Sequence, residues 1–257
     1  MVVTGAGHGI GAALAKRFAQ ADYAVAVLDL DAEAAAATAD ELGRAGARSL
    51  ALRCDVTVPD ECTTAIDRVL TAFGGIDLLV NNAGITHVGR VRETAVEVLR
   101  RVVEVNFFGA VHCTKAALPS LLARRGRVVA LSSVAGFAPL ATRSGYVASK
   151  HALEGFFATL RTEHAADGLG VTLVRPSFVR TDIGARALGA DGRPAGAGAR
   201  TGVGRELGPE AAAEVIFRGV TAGRRTVWVG REARASFWLA TLWPGAYERL
   251  MVRRTLG

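Results

Sequence analysis

Apolar positions along the chain follow two alternating periods. Short runs dense in Val, Ile, Leu and Ala read as strands over Met1 to Thr4, Ala24 to Leu28, Arg48 to Cys54, Ile76 to Val80, Arg127 to Leu131, Val171 to Val174 and Thr226 to Val229. Between them Ala, Leu and Phe recur every three or four residues. That spacing predicts helices over Ile10 to Gln20, Ala32 to Arg44, Pro59 to Phe73, Thr94 to Ala123, Tyr146 to Ala166 and Pro209 to Ala222. Strand and helix in alternation build βαβ units and a parallel sheet. The expected fold is therefore α/β, a Rossmann-type doubly wound, seven-stranded parallel sheet with helices on both faces. No linker and no repeat divides the 257 residues, so 1–257 is expected to form a single domain. The first strand is shorter than the usual five or six or so residues, which predicts a clipped central strand or a start upstream.

The first strand runs into Thr4-Gly5-Ala6-Gly7-His8-Gly9-Ile10-Gly11 and then a helix. Glycines here permit a tight turn and let N–H groups at a helix N-terminus approach a pyrophosphate without obstruction from a Cβ. Asp29 follows at the end of the second strand, about twenty residues on, where a carboxylate accepts hydrogen bonds from the adenosine ribose of a dinucleotide.

A second cluster lies further along. Tyr146 and Lys150 are one helical turn apart and leave the same face. The ammonium is expected to pull the phenol pKa down from about 10, toward proton exchange near neutrality. Ser133, after the strand-like run Arg127 to Leu131, is placed to meet the same substrate oxygen.

Composition narrows the class further. The net charge is +7, but 31 basic residues are interspersed with 24 acidic ones and do not alternate with aromatics, so no nucleic-acid groove is expected. From Thr201 onward nine arginines face five glutamates, which concentrates the excess at the C-terminus. No uncharged apolar run reaches the roughly 18 residues of a membrane span, and no secretory signal opens the chain. A cytoplasmic protein is expected. Cys54, Cys62 and Cys113 have neither disulfide-framework nor zinc spacing, and are expected to be reduced and mostly buried, with no metal site.

With these residues in hand the chain resembles the short-chain dehydrogenase/reductase family, in its single-domain branch, from Val2 to about Val229. The turn Thr4 to Gly11 is similar to the family's Thr-Gly-x-x-x-Gly-x-Gly. Asp55-Val56 resembles its adenine contact, and Asn81-Asn82-Ala83-Gly84 the segment running beside the cofactor. Asn106, Ser133, Tyr146 and Lys150 resemble its catalytic residues, with Asn106 implied to hold a water in the proton relay. Pro176 to Thr181 is similar to Pro-Gly-x-Val-x-Thr, which holds the nicotinamide carboxamide; Ser177 replaces the glycine.

The resemblance implies cofactor binding by Gly5, Gly7, His8, Gly9, Ile10, Asp29, Leu30, Asp55, Val56, Asn82, Ala83, Gly84, Tyr146, Lys150, Pro176, Val179 and Thr181. It implies substrate contact by Ser133, Ala135, Tyr146 and Phe178. NAD is expected over NADP, because Asp29 would repel a 2′-phosphate and no arginine follows it. The implied reaction is hydride transfer between NAD and a secondary alcohol or ketone. An NADP-dependent carbonyl reductase and a non-catalytic dinucleotide sensor are the alternatives.

The pocket is expected to be lined from Ala135 to Arg143, from Ile85 to Arg90, by Phe178 and by 182–207, whose seven glycines read as a mobile lid. Apolar Phe137, Leu140 and Phe178 suggest a lipophilic substrate. The helix Tyr146 to Leu160 is similar to the 11β-hydroxysteroid-dehydrogenase-like branch, which implies a steroid- or lipid-like one. Family members pair as dimers or tetramers, so a homo-oligomer, with a homotetramer in view, is expected. The C-terminal tail 231–257 holds Ser236 to Leu242 and Trp243-Pro244 among Arg231, Arg234 and Arg249. It is expected to bury against its own domain or a neighbouring subunit, with peripheral contact on an anionic membrane as the alternative.

Overall fold

Strands that are apolar on both faces form a stable sheet only where helices cover both sides. A computed structural model, describing residues 1–196 and 206–255, shows that arrangement. The strands β1 (Val2–Thr4), β2 (Val25–Asp29), β3 (Ser49–Arg53), β4 (Leu78–Asn81), β5 (Arg127–Leu131), β6 (Gly170–Pro176) and β7 (Thr226–Val229) form one sheet. All pairs are parallel, in the order β3-β2-β1-β4-β5-β6-β7.

The pleat sends alternate residues into two separate cores. Val2, Ala26, Leu79 and Val128 face one layer, built on α3 (Pro59–Phe73), α5 (Gly109–Ala123) and α6 (Ser144–Glu163) with Ile66, Leu121 and Phe157. Val3, Val27, Val80 and Val129 face the other, built on α1 (Gly9–Ala19), α2 (Ala32–Arg44) and α7 (Pro209–Thr221) with Leu14, Phe18, Leu42 and Ile216. Three-residue β1 is paired on both sides, and its short length is compensated by full burial. Strand order reverses between β1 and β4, so a crevice opens beyond the carboxyl ends of these strands, where α/β sheets bind ligands.

Two predicted elements differ. The helix expected over Thr94 to Ala123 divides into α4 (Val96–Val103), a π-helical turn (Glu104–Phe108) and α5. The wider turn rotates the phase of the helix and turns Asn106 into the interior. The tail, read as a Trp-bearing segment, forms two helices, α8 (Arg231–Leu242) and α9 (Pro244–Thr255). No helix among the described residues is long and apolar enough to cross a membrane. All three cysteines are free and buried, with Cys113 Sγ 3.6 Å from Cys62 Sγ.

Gly230 joins β7 to α8 at φ +92°, and a Cβ added there would lie 2.2 Å from Ser177 Oγ. Gly230→Ala is therefore expected to lose about 2 kcal/mol in urea unfolding, from backbone strain and the clash together. Adding Ser177→Gly should recover the clash part and leave the strain. Full stability in the single variant would mean that the junction relaxes freely.

Candidate active site

The crevice beyond β1, β2 and β4 has a volume of about 440 Å³. Gly5, His8, Gly9 and Ile10 form one wall, and Asp29, Leu30, Asp55 and Val56 another. Asn82, Ala83 and Gly84 close the third side. Each depends on its neighbours for position. Gly5 has φ +61° and a Cβ there would meet Ala83 Cα at 2.8 Å; a Cβ on Gly11 would lie 2.2 Å from the Gly5 carbonyl oxygen. Asn82 Nδ2 donates to the carbonyls of Thr4 (3.0 Å) and Gly5 (2.9 Å). The N–H groups of Asn82 and Ala83 donate to Thr4 Oγ1 at 3.1 and 3.0 Å. The β4 segment thus clamps the glycine turn.

Gly7 lies beneath the wall rather than on it. Its N–H donates to Asp29 Oδ2 at 2.8 Å, while the Asp31 N–H donates to Oδ1 at 3.0 Å. Both carboxylate oxygens are fixed yet retain a second lone pair for a ligand. At the start of α1 the N-cap residue His8 makes no side-chain capping bond, so the helix N-terminus faces the crevice with its N–H dipole uncapped by side chains. Glycines that a Cβ could not replace, a helix terminus open to anions and a strand-end carboxylate together fit a dinucleotide. Asp55 plays a second, structural part: its Oδ1 accepts from Thr57 N–H (2.9 Å) and Thr57 Oγ1 (2.7 Å), ordering the entry to α3.

An adjoining cavity of about 170 Å³ shares Thr181 and Ile183 with the crevice. Ser133, Tyr146, Phe178, Thr86, Leu140 and Arg143 line it as expected, together with Pro176 and Val179, which were expected beside the cofactor. Ser133 Oγ accepts from the Ala135 N–H at 3.2 Å and faces the same cavity as the Tyr146 phenol, whose pKa it lowers. Lys150, one turn on, is buried, and its Nζ donates to the Leu131 carbonyl at 2.6 Å, 5.7 Å from the Tyr146 ring centroid. Asn106 spends its amide on the backbone of Ile85, accepting from N–H at 2.8 Å and donating to C=O at 3.0 Å. It also donates to Ser149 Oγ at 2.9 Å, and Ser149 donates to the Tyr146 carbonyl at 2.7 Å. Asn106 thus ties the π turn to the first turns of α6.

The electrostatics depart from expectation. Burial raises the Tyr146 pKa; the Ser133 hydrogen bond and the Arg143 charge oppose it, and Lys150 is not among the causes. Burial also lowers the Lys150 pKa from 10.5 to about 8, with Glu154 opposing. A second cation near the phenol, besides Lys150, is Arg143, buried and donating from Nη1 to Thr86 Oγ1 (3.1 Å) and the His87 carbonyl (3.2 Å).

Four further placements correct the sequence reading. Ala135 is wholly buried behind Ser133 and does not line the cavity. Phe137 turns the other way, edge-on to Trp228 and Phe237. The cavity wall is more polar than the expected Phe137, Leu140 and Phe178 imply: Arg143 and Glu206, both within the expected lining, Ser177 and the unforeseen Arg180 line it. The first part of the supposed lid is tied down: Leu188 bonds the backbone at Thr86 and Val88, and Ala190 bonds that of Ala95. Residues 197–205 of that segment lie outside the described residues. Reasoning from sequence also missed Arg101 and Val105 on the crevice wall, and placed Ile85 and Arg186 on the substrate pocket rather than here. Only the one-turn spacing of Arg101 on α4 and Val105 in the π turn could have hinted at the first two.

Comparison with known proteins agrees with this geometry. The short chain dehydrogenase family model matches residues 1–190. Dehydrogenase/reductase SDR family member 7B of Bos taurus is 35% identical over 263 residues, spanning 99% of this chain and 80% of that protein. A short chain dehydrogenase/reductase from Burkholderia phymatum, solved in complex with NAD, superposes with a TM-score of 0.84 at 28% identity, over 95% of this chain and 93% of that one. An alcohol dehydrogenase from Thermococcus sibiricus, complexed with 5-hydroxy-NADP, gives 0.77 at 25%, over 89% and 94%. Glycine turn, strand-end carboxylate and Ser133–Tyr146–Lys150 cluster, on one parallel sheet, place the chain in the short-chain dehydrogenase/reductase family of NAD(P)-dependent oxidoreductases.

Proposed function

We propose that the chain interconverts a small secondary alcohol and its ketone with NAD as preferred coenzyme. The observation that carries this reading is that Ser133 and Tyr146 line one cavity, which abuts the crevice at Thr181 and Ile183, with Lys150 buried one helical turn on. In the oxidising direction Tyr146, as phenolate, takes the hydroxyl proton while Ser133 donates to the oxygen becoming a carbonyl. Bound NAD supplies the hydride acceptor for the same carbon. Lys150, freed from Leu131 or bridging to it, adds positive charge behind the phenol, and Asn106 holds α6 in register. A dinucleotide sensor would not need the intact Ser133, Tyr146 and Lys150.

Val134, Leu140, Phe178, Val179 and Ile183 support a lipophilic substrate body, and Arg143, Arg180 and Glu206 support a polar end. The 170 Å³ enclosed by described residues is below the roughly 300 Å³ at which drug-sized ligands fit. That favours a short or slim alcohol over a fused-ring steroid. Exposed Val96 and Phe108 on the α4–α5 side support a homo-oligomer, which a mass measurement in solution tests.

For the coenzyme, Asp29 and Asp31 both line the crevice, and a 2′-phosphate near them would meet repulsion on the order of 1–4 kcal/mol. Arg101 and Arg186 on the same wall are the features that favour the NADP reading. At least about a tenfold higher kcat/KM with NAD than with NADP is expected across a panel of secondary alcohols, about 1.4 kcal/mol. Asp29→Ala should shrink that ratio, and the ratio is the readout, because the variant also releases the Gly7 N–H. Equal or better turnover with NADP in the unmutated enzyme would overturn the assignment.

A further inference from the structure

The α8–α9 pair has an inner and an outer face. Inside, Ala233 and Tyr247 are buried against Val134 and Ala138, with Leu239 and Met251 beside them. Phe237 packs edge-on to Phe137. This half of the tail buries against its own domain, one of the two burials expected from the sequence.

The outer face does not. Trp238 is 50% exposed, Leu242 55%, Trp243 62% and Val252 53%. Arg231, Arg234, Trp238 and Leu242 recur at helical spacing, so they form one stripe along α8, with Trp243 at the corner where α9 begins. Arg249, Val252 and Arg253 continue it on α9 at one-turn spacing. These four arginines are exposed, and none enters an ion pair among the described residues. Over 231–255 five arginines stand against two glutamates, Glu232 and Glu248. Isolated exposed apolar residues are ordinary, but two tryptophans and a leucine at one helix corner, edged by arginines, form a patch of defined chemistry.

We infer that this face docks on an anionic lipid surface, with α8 along the headgroup layer, Trp238, Leu242 and Trp243 in the acyl boundary and the arginines on lipid phosphates. Indole rings have an apolar body and a polar N–H suited to that boundary, and basic side chains around them complement anionic headgroups. A second copy fits less well. A two-fold contact places the same patch against itself, so the arginine stripe would meet its own charge. The inner side of the hairpin rests on Val134, which lines the catalytic cavity, so the docked surface and the cavity share one packed layer.

The test is sedimentation of the full chain with vesicles of phosphatidylcholine alone or mixed with phosphatidylserine, at low and moderate salt. Partition onto the mixed vesicles, weakened by salt, is expected, with a blue shift of tryptophan emission. Arg234→Glu with Arg253→Glu should weaken it at least about tenfold. Trp238→Ser with Trp243→Ser should weaken it and remove the blue shift, while turnover without vesicles stays unchanged in both pairs. Should either pair lose its far-ultraviolet helical signal, the comparison of the two vesicle types with the unmutated chain decides alone. Absence of binding to mixed vesicles at low salt, equal binding to both compositions, or a vesicle-free dimer that the tryptophan pair abolishes would overturn the inference.

Discussion

Tyr146→Phe is expected to lose about 10³-fold in turnover while NAD binds as in the unmutated enzyme. Only the hydroxyl is removed; the ring keeps its place on α6, and Ser133 keeps the Ala135 N–H it accepts. The loss belongs in kcat rather than in the coenzyme dissociation constant, because the hydroxyl transfers a proton in the transition state and is not needed to hold the coenzyme. The pH dependence gives the sign. Burial holds the Tyr146 pKa above its ordinary value in the structure without coenzyme, so the neutral phenol dominates near pH 7. Alcohol oxidation needs the phenolate and should rise with pH, whereas ketone reduction needs the phenol and should fall. Turnover in the Phe variant close to that of the parent, or an oxidation rate that falls as pH rises, would rule out Tyr146 as the proton-transferring group.

Lys150→Met should combine a large loss of activity with a gain in stability. Activity is expected to drop at least about 10²-fold, since the ammonium behind the phenol disappears. Stability moves the other way because the Lys150 pKa is lowered from 10.5 to about 8 by burial. A lysine whose folded pKa is depressed binds its proton less readily when folded than when unfolded. The resulting destabilisation is full below about pH 8, shrinks as pH rises from there to 10.5, and is absent above. At 1.36 kcal/mol per unit it is about 3 kcal/mol, offset in part by the hydrogen bond to Leu131, whose carbonyl the variant leaves without that donor. The variant is thus expected to be about 1–2 kcal/mol more stable than the parent near pH 7, with the gap closing toward pH 10.5. Urea unfolding at both pH values measures it. A variant less stable at pH 7, or a gap independent of pH, would show that the ammonium is well solvated by its surroundings.

Much of the site was legible because it rests on local rules. Gly5 and Gly9 are needed for their positive φ, and Tyr146 and Lys150 meet because a helix repeats every 3.6 residues. Asp29 stands at a strand end that the apolar run Ala24 to Leu28 already marked. The role of Asn82 was harder to see. As a single residue it suits a turn, and only its bonds to Thr4 and Gly5, more than seventy positions earlier, make it the clamp of the glycine turn.

The chain's own pattern determined the alternating elements, the parallel sheet, the two-faced burial of its strands and the residue types at the reacting centre. Those follow from periodicity and from backbone conformations that one residue or its near neighbours impose. Tertiary structure alone decided the π turn that buries Asn106 against Ile85, the rotation of Phe137 toward Trp228, the burial of Arg143 beside Tyr146 and the arginines of α4 and the 182–196 segment on the crevice wall. It also decided which stripe of α8 meets the domain and which meets solvent. In each case the side chain's surroundings come from segments tens of residues away, and a local pattern specifies that a residue is apolar or charged without specifying which distant surface arrives to pack against it.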